Sequence, residues 1–154
     1  GGGGLAARRV PAVAAHPAAP ALSQRPRQAQ RETGGMSNKP VGPYTPVVRA
    51  GGFLIVSGQV GIADGQLVRG GLEGELRQAV ANLSGLLKAE GASLADVVKT
   101  TVFLRHLASD YARMNEVYVE LFGDHRPARS AIGVAELPLG ALVELEAWAH
   151  VGAG

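Results

Sequence analysis

Arg129 lies in a strand-like run, and two glutamates, Glu144 and Glu146, follow it near the C-terminal end, separated by one residue. A guanidinium is a planar fork of donors that stays charged at any relevant pH and can hold a carboxylate through two parallel hydrogen bonds. An ordinary salt bridge on a strand is the other use of the same group. A glutamate in a cleft can lose enough water for its pKa to rise toward neutrality, so either carboxylate could orient or deprotonate a water molecule. Either could equally pair with Arg129 or with a lysine. Cysteine is absent, which closes off thiol nucleophiles, disulfides and thiolate metal sites. His16, His106, His125 and His150 show no close ligand spacing, and no Gly-rich phosphate loop stands at a strand-to-helix junction, so no metal or cofactor is implied.

The elements that must position these groups follow from the apolar pattern. Pro46 to Ala50, a Gly51-Gly52 turn and Phe53 to Val60 predict a hairpin. Leu72, Leu76, Ala79, Val80, Leu83, Leu86 and Leu87 recur at spacings of three and four, which predicts a helix ending near Glu90, with Gly91 as the left-handed stop. Ser93 begins a turn into Val97 to Leu104, a β-branched run that favours a strand. Ser109 is the expected cap of a second helix, with Tyr111, Met114, Tyr118, Leu121 and Phe122 on one face and Gly123 at its end. Ala128 to Val134 and Leu142 to Val151 are the last strands, separated by the turn-like Leu137-Pro138-Leu139-Gly140. The expected order is ββ(β)αβαββ. Two helices cover only one face of such a sheet. In the last strand Glu144, Glu146, Trp148 and His150 alternate with an apolar set, so the mixed face is expected at a subunit interface or cleft, and oligomerisation is the simplest way to cover it.

The pI near 9.3 suggests a basic protein. Residues 1–35, however, hold Arg8, Arg9, Arg25, Arg27 and Arg31 against Glu32, which gives +4. From Met36 onward ten Lys or Arg face twelve Asp or Glu, which gives −2. The basic character belongs to the leader, and the body lacks the cationic surplus that nucleic-acid backbones attract. Rich in Ala, Gly and Pro and without an aromatic residue, the leader is expected to be disordered, with residues 36–154 as one domain. Its Arg-rich, acid-poor composition also resembles an organelle transit peptide, although Ser23 is its only serine and four prolines interrupt any helix. A start of translation at Met36 is a third explanation. Apolar stretches such as Phe53 to Val56 and Val143 to Ala149 are too short to span a membrane, so the expectation is a soluble, cytoplasmic protein with no membrane partner.

Five segments then occur in order: Gly42-Pro43-Tyr44, Val56-Ser57-Gly58-Gln59, Val97 to Phe103, Pro127-Ala128-Arg129-Ser130, and Leu142 to Ala147. Together they resemble the reactive intermediate deaminase family (RidA, also called YjgF), over about residues 38–150 and no part of the leader. The resemblance implies an α+β, chorismate-mutase-like mixed sheet with two helices on one face, a homotrimeric barrel, and active sites in clefts between subunits. It implies cofactor-independent hydrolysis of 2-imino acids to 2-keto acids and ammonia, with Arg129 as the carboxylate anchor and Glu144, rather than Glu146, positioning the water. Tyr44 would wall the pocket, Ser57 and Gly58 would supply a hydroxyl and a close-approaching backbone, and Ala131 would contribute its N–H where many relatives carry cysteine. Asn115 matches a polar pocket position on the second helix, though a solvent-facing role suits it as well. A non-catalytic, chaperone-like trimer that binds small carboxylates, and RNA processing of the endoribonuclease type, are the alternatives from other classes.

Overall fold

The computed structural model describes residues 42–152, so the leader lies outside the described residues. Strand β1 (Val47–Ala50) turns through Gly51, whose φ of 57° suits a residue without a side chain, into β2 (Phe53–Val60). Beyond β2, β3 (Ile62–Ala63) and β4 (Gln66–Leu67) form a separate ribbon around Asp64-Gly65, both left-handed (φ 51° and 77°), as a tight hairpin turn requires. The extra strand expected here is thus a miniature hairpin outside the main sheet.

Helix α1 (Gly71–Ala89) gives way to Gly91, left-handed at φ 76°, and β5 (Val97–Leu104), α2 (Leu107–Phe122), β6 (Ala128–Gly133) and β7 (Val143–His150) complete the chain. The second helix begins at Leu107, two residues before the expected cap. Leu107 packs against the core, and Ser109 instead donates its hydroxyl to the His106 carbonyl within the first turn (3.2 Å). Tertiary burial outweighed the local capping signal.

The sheet runs β1-β2-β7-β5-β6, antiparallel except for the parallel pair β5–β6. Both helices cover one face: Leu54, Val56, Val102, Leu104, Val143 and Leu145 meet Leu76, Leu83, Leu87, Met114 and Val117 in a single core. Each such side chain stabilises the fold by about 1.5–3 kcal/mol. Glu73 ties the helices together outside, pairing with Arg77 on α1 and Arg113 on α2. The opposite face carries Val48, Phe53, Ile132 and Trp148, with Phe53 edge-on to Trp148 (6.3 Å) and to His150 (5.0 Å). Nothing in the chain's described residues covers Trp148, which is 45% exposed. Among the described residues no helix is long and apolar enough to cross a membrane.

Candidate active site

A cavity of about 440 Å³ opens on the uncovered side, and Tyr44, Ser57, Gly58 and Glu144 line it. A bulge in β2 creates its floor. Val56 pairs with Ala147 and Gln59 with Leu145, so Ser57 and Gly58 occupy a span where β7 supplies only Glu146. Gln59 braces the bulge by donating to the carbonyls of Ser57 (3.0 Å) and Gly58 (3.2 Å). Ser57 in turn fixes the lead-in segment: its hydroxyl donates to the Thr45 carbonyl (2.7 Å) and its N–H to the Pro46 carbonyl (2.9 Å). Tyr44 is held over the opening beside Gly42, to whose carbonyl it donates its N–H (2.9 Å). Val60, Ile62, Pro138 and Leu139 also line this cavity, and the motif reading had given none of them a site role.

Glu144 is half-buried, and its carboxylate lies directly over Gly58. A β-carbon on Gly58 would stand 1.8 Å from Glu144 Oε1, so only glycine leaves the carboxylate its place. Burial pushes the Glu144 pKa up, and the neighbouring Glu146 carboxylate pushes it further in the same direction. Glu146 does not line the cavity.

Arg129 and Ala131 line a second cavity, of about 470 Å³, with Leu107, Ala108 and Tyr111 of the α2 start. The guanidinium lies over the Tyr118 ring (4.9 Å from its centre) and beside Tyr111 (5.9 Å), and Nη1 approaches Met114 Sδ at 3.5 Å. Tyr118 is itself fixed by a 2.8 Å hydrogen bond to the buried Thr100 hydroxyl. Aromatic seating holds a cation without neutralising it. Arg49, Arg77 and Arg113 each find a carboxylate, whereas Arg129 has none among the described residues. The ordinary salt bridge considered for it is therefore not formed there. Tyr111 and Tyr118, read from sequence only as a helix stripe, are its platform. Asn115 lies one turn from both on α2, half-buried, and lines neither cavity.

The two cavities are on opposite faces of the sheet. Arg129 pairs with Thr100, which pairs with Ala147, and both of these are fully buried under the helices. Glu144 pairs with Phe103, and its flanking residues Val143 and Leu145 are the ones that point into the core. Within one chain the structure therefore groups Tyr44, Ser57, Gly58 and Glu144 together and sets Arg129 with Ala131 apart.

Known proteins resemble the chain over most of its described residues. A family model described as Endoribonuclease L-PSP matches residues 36–151. A RutC family protein of Pyrococcus horikoshii is 45% identical over 114 residues, 73% of this chain and 90% of its own. The human 2-iminobutanoate/2-iminopropanoate deaminase is 42% identical over 114 residues, 73% of this chain and 82% of its own. The crystal structure of RidA from the Antarctic bacterium Psychrobacter is similar at a TM-score of 0.70 and 38% identity, covering 73% of this chain and 92% of that one.

Proposed function

The chain belongs to the Endoribonuclease L-PSP family, the family of YjgF and RidA, and from that premise we propose that it is a cytoplasmic enzyme hydrolysing 2-imino acids, such as 2-iminopropanoate and 2-iminobutanoate, to 2-keto acids and ammonia. The observation that carries the reading is Arg129: a half-buried guanidinium seated on aromatic rings, facing a cavity and unmatched by any carboxylate among the described residues. It offers a bidentate seat for a substrate carboxylate, which orients C2 and the imine nitrogen. Glu144 accepts a proton from water as the oxygen attacks C2, while the imine nitrogen takes one from solvent. The resulting carbinolamine collapses as Glu144 passes its proton to the amine nitrogen, the C–N bond breaks to release ammonia, and the hydroxyl proton passes to solvent, leaving the 2-keto acid. Burial suits Glu144 to this work, since a raised pKa makes it a stronger base near neutral pH. Tyr44 walls the site, Ser57 and Gly58 line its floor, Ala131 offers its backbone beside Arg129, and Asn115 is a more distant polar contributor.

In this reading the site forms between subunits. The Arg129 cavity of one copy would meet the Glu144 cavity of the next, a contact between two different patches, and such contacts close into rings. The uncovered sheet face with Phe53 and Trp148 would fill the centre of a homotrimer. An RNA-cleaving reading draws no support from charge, because the body from Met36 carries ten cationic and twelve acidic residues.

Coupling a threonine dehydratase to the purified protein and following 2-ketobutyrate is the direct test. The protein should accelerate its appearance and Arg129→Ala should not; equal acceleration by both would sink the mechanism. Refolding Arg129→Ala together with Glu144→Gln should restore activity that neither has alone, because a mixed ring contains a site with both groups intact. Binding of 2-ketobutyrate without turnover of any imine would point to the carboxylate-binding alternative.

A further inference from the structure

The Glu144 cavity has a mixed lining. Tyr44, Ser57 and Glu144 are its polar members, and Val60, Ile62, Pro138 and Leu139 are its apolar ones, with Val60 the cross-strand partner of Glu144. Its volume of about 440 Å³ is in the roughly 300–1,000 Å³ range of clefts that enclose ligands far larger than a three-carbon acid. Leu139 is the unusual member. Its backbone is left-handed (φ 59°, ψ 15°), a conformation that a leucine adopts only at a cost in stability, and 57% of it is exposed.

The turn carrying Leu139 is held from several directions. Arg105 Nη1 donates to the Gly140 carbonyl (3.0 Å), and the Arg105 N–H donates to the Leu142 carbonyl (3.0 Å). The buried Glu75 carboxylate accepts the Leu142 N–H (2.7 Å). Gly140, at φ 76°, completes the reversal. A strained, exposed leucine on a braced turn is poorly explained by folding, because its side chain is left at the cavity instead of in the core.

We propose that Leu139 is a specificity-determining residue: with Val60 and Ile62 it receives the substrate's own side chain, and it selects 2-imino acids bearing a branched or extended apolar chain over 2-iminopropanoate. The inference rests on the imine-hydrolysis reading and names the substrate class within it. A longer apolar chain covers more of this apolar lining than a methyl group does while the imine stays beside Glu144.

The test compares kcat/KM for the imino acid made from leucine by an L-amino-acid oxidase with that for 2-iminopropanoate, in the wild type and in Leu139→Asn. Asparagine nearly matches leucine in shape and tolerates the left-handed backbone, so the variant changes polarity without disturbing the turn. The wild type should favour the branched substrate, and the substitution should lower that preference roughly tenfold, the scale of one or two methylenes in a hydrophobic pocket. A preference unchanged by Leu139→Asn, or a wild type that favours 2-iminopropanoate, overturns the proposal. Calorimetric binding of 4-methyl-2-oxopentanoate and pyruvate to the wild type gives an arm independent of turnover. If neither imine is hydrolysed, the catalytic reading fails, yet tighter binding of the branched keto acid that Leu139→Asn abolishes still supports the pocket, and equal affinities overturn it.

Discussion

Gly58→Ala separates the placement of Glu144 from the stability of the fold. The added β-carbon would lie 1.8 Å from Glu144 Oε1, 2.8 Å from Cδ and 3.2 Å from Cγ. Ordinary nonbonded contact needs about 3.5 Å, so the carboxylate must withdraw by roughly 1.5 Å or more. The obstruction is the end of a flexible side chain, which can rotate away, and Gly58 does not need a left-handed backbone. Folding should therefore be nearly unaffected, and the lower entropy of the unfolded alanine chain offsets part of any strain, by about 0.4–1 kcal/mol. Catalysis should not be spared. A misplacement of about 1 Å can reduce rate by a factor of 10², so kcat for a 2-imino acid should drop on the order of a hundredfold while Tm moves little. The coupled dehydratase assay reads the rate and differential scanning calorimetry reads Tm. Retention of kcat within a factor of about three, with an unchanged Tm, would show that the Glu144 carboxylate does not act from the position above Gly58.

In the proposed mechanism ionised Glu144 is the proton acceptor, and burial and Glu146 raise its pKa, so the acid limb of kcat/KM should lie above the ordinary carboxylate range; Glu146→Gln should move that limb to lower pH. The same shift gives stability a sign. A folded pKa raised above the unfolded value of 4.5 makes a contribution that is fully present below 4.5 and lost as pH rises through the folded value. Glu144→Gln should consequently melt above the wild type near neutral pH and converge with it in acid, as thermal scans across pH would register. Arg129→Lys keeps the charge but loses the fork, and kcat/KM should fall by roughly 10- to 100-fold, mostly through KM in steady-state kinetics. Glu75→Ala leaves the Leu142 N–H without its acceptor and should cost about 1–3 kcal/mol in urea unfolding, whereas Glu75→Gln keeps an acceptor and should stay near the wild type.

Much of the architecture was legible because period and punctuation agreed. The alternation of Val143, Leu145, Ala147 and Ala149 with Glu144, Glu146, Trp148 and His150 reappears as a buried and an outward face, and Gly91 ends α1 as its freedom at positive φ allows. What escaped depends on partners distant in sequence. The Ser57-Gly58 bulge exists only relative to β7, and the start of α2 follows the packing of Leu107 instead of the Ser109 hydroxyl. Leu139 reads as a turn residue, and nothing in a leucine announces a left-handed backbone. The Asp64-Gly65 signal was present, but two-residue strands are too short for alternation to reveal.

The relation between Arg129 and Glu144 shows how far parity alone carries the argument. Successive strand residues point to opposite faces, so the helix-side placement of Val143 and Leu145 already turns Glu144 outward. The face taken by Arg129 depends on the parallel register of β5 and β6, which aligns it with the buried Thr100 and sets it on the Tyr118 ring. Once both placements hold, the two groups of one chain stand on opposite faces of a hydrogen-bonded sheet. In the proposed reaction, which needs both, one of them comes from another copy. The exposed face bearing Phe53 and Trp148 would supply the driving force for that assembly, so in the proposed enzyme the contacts that hide the sheet and those that complete the site would form in the same step.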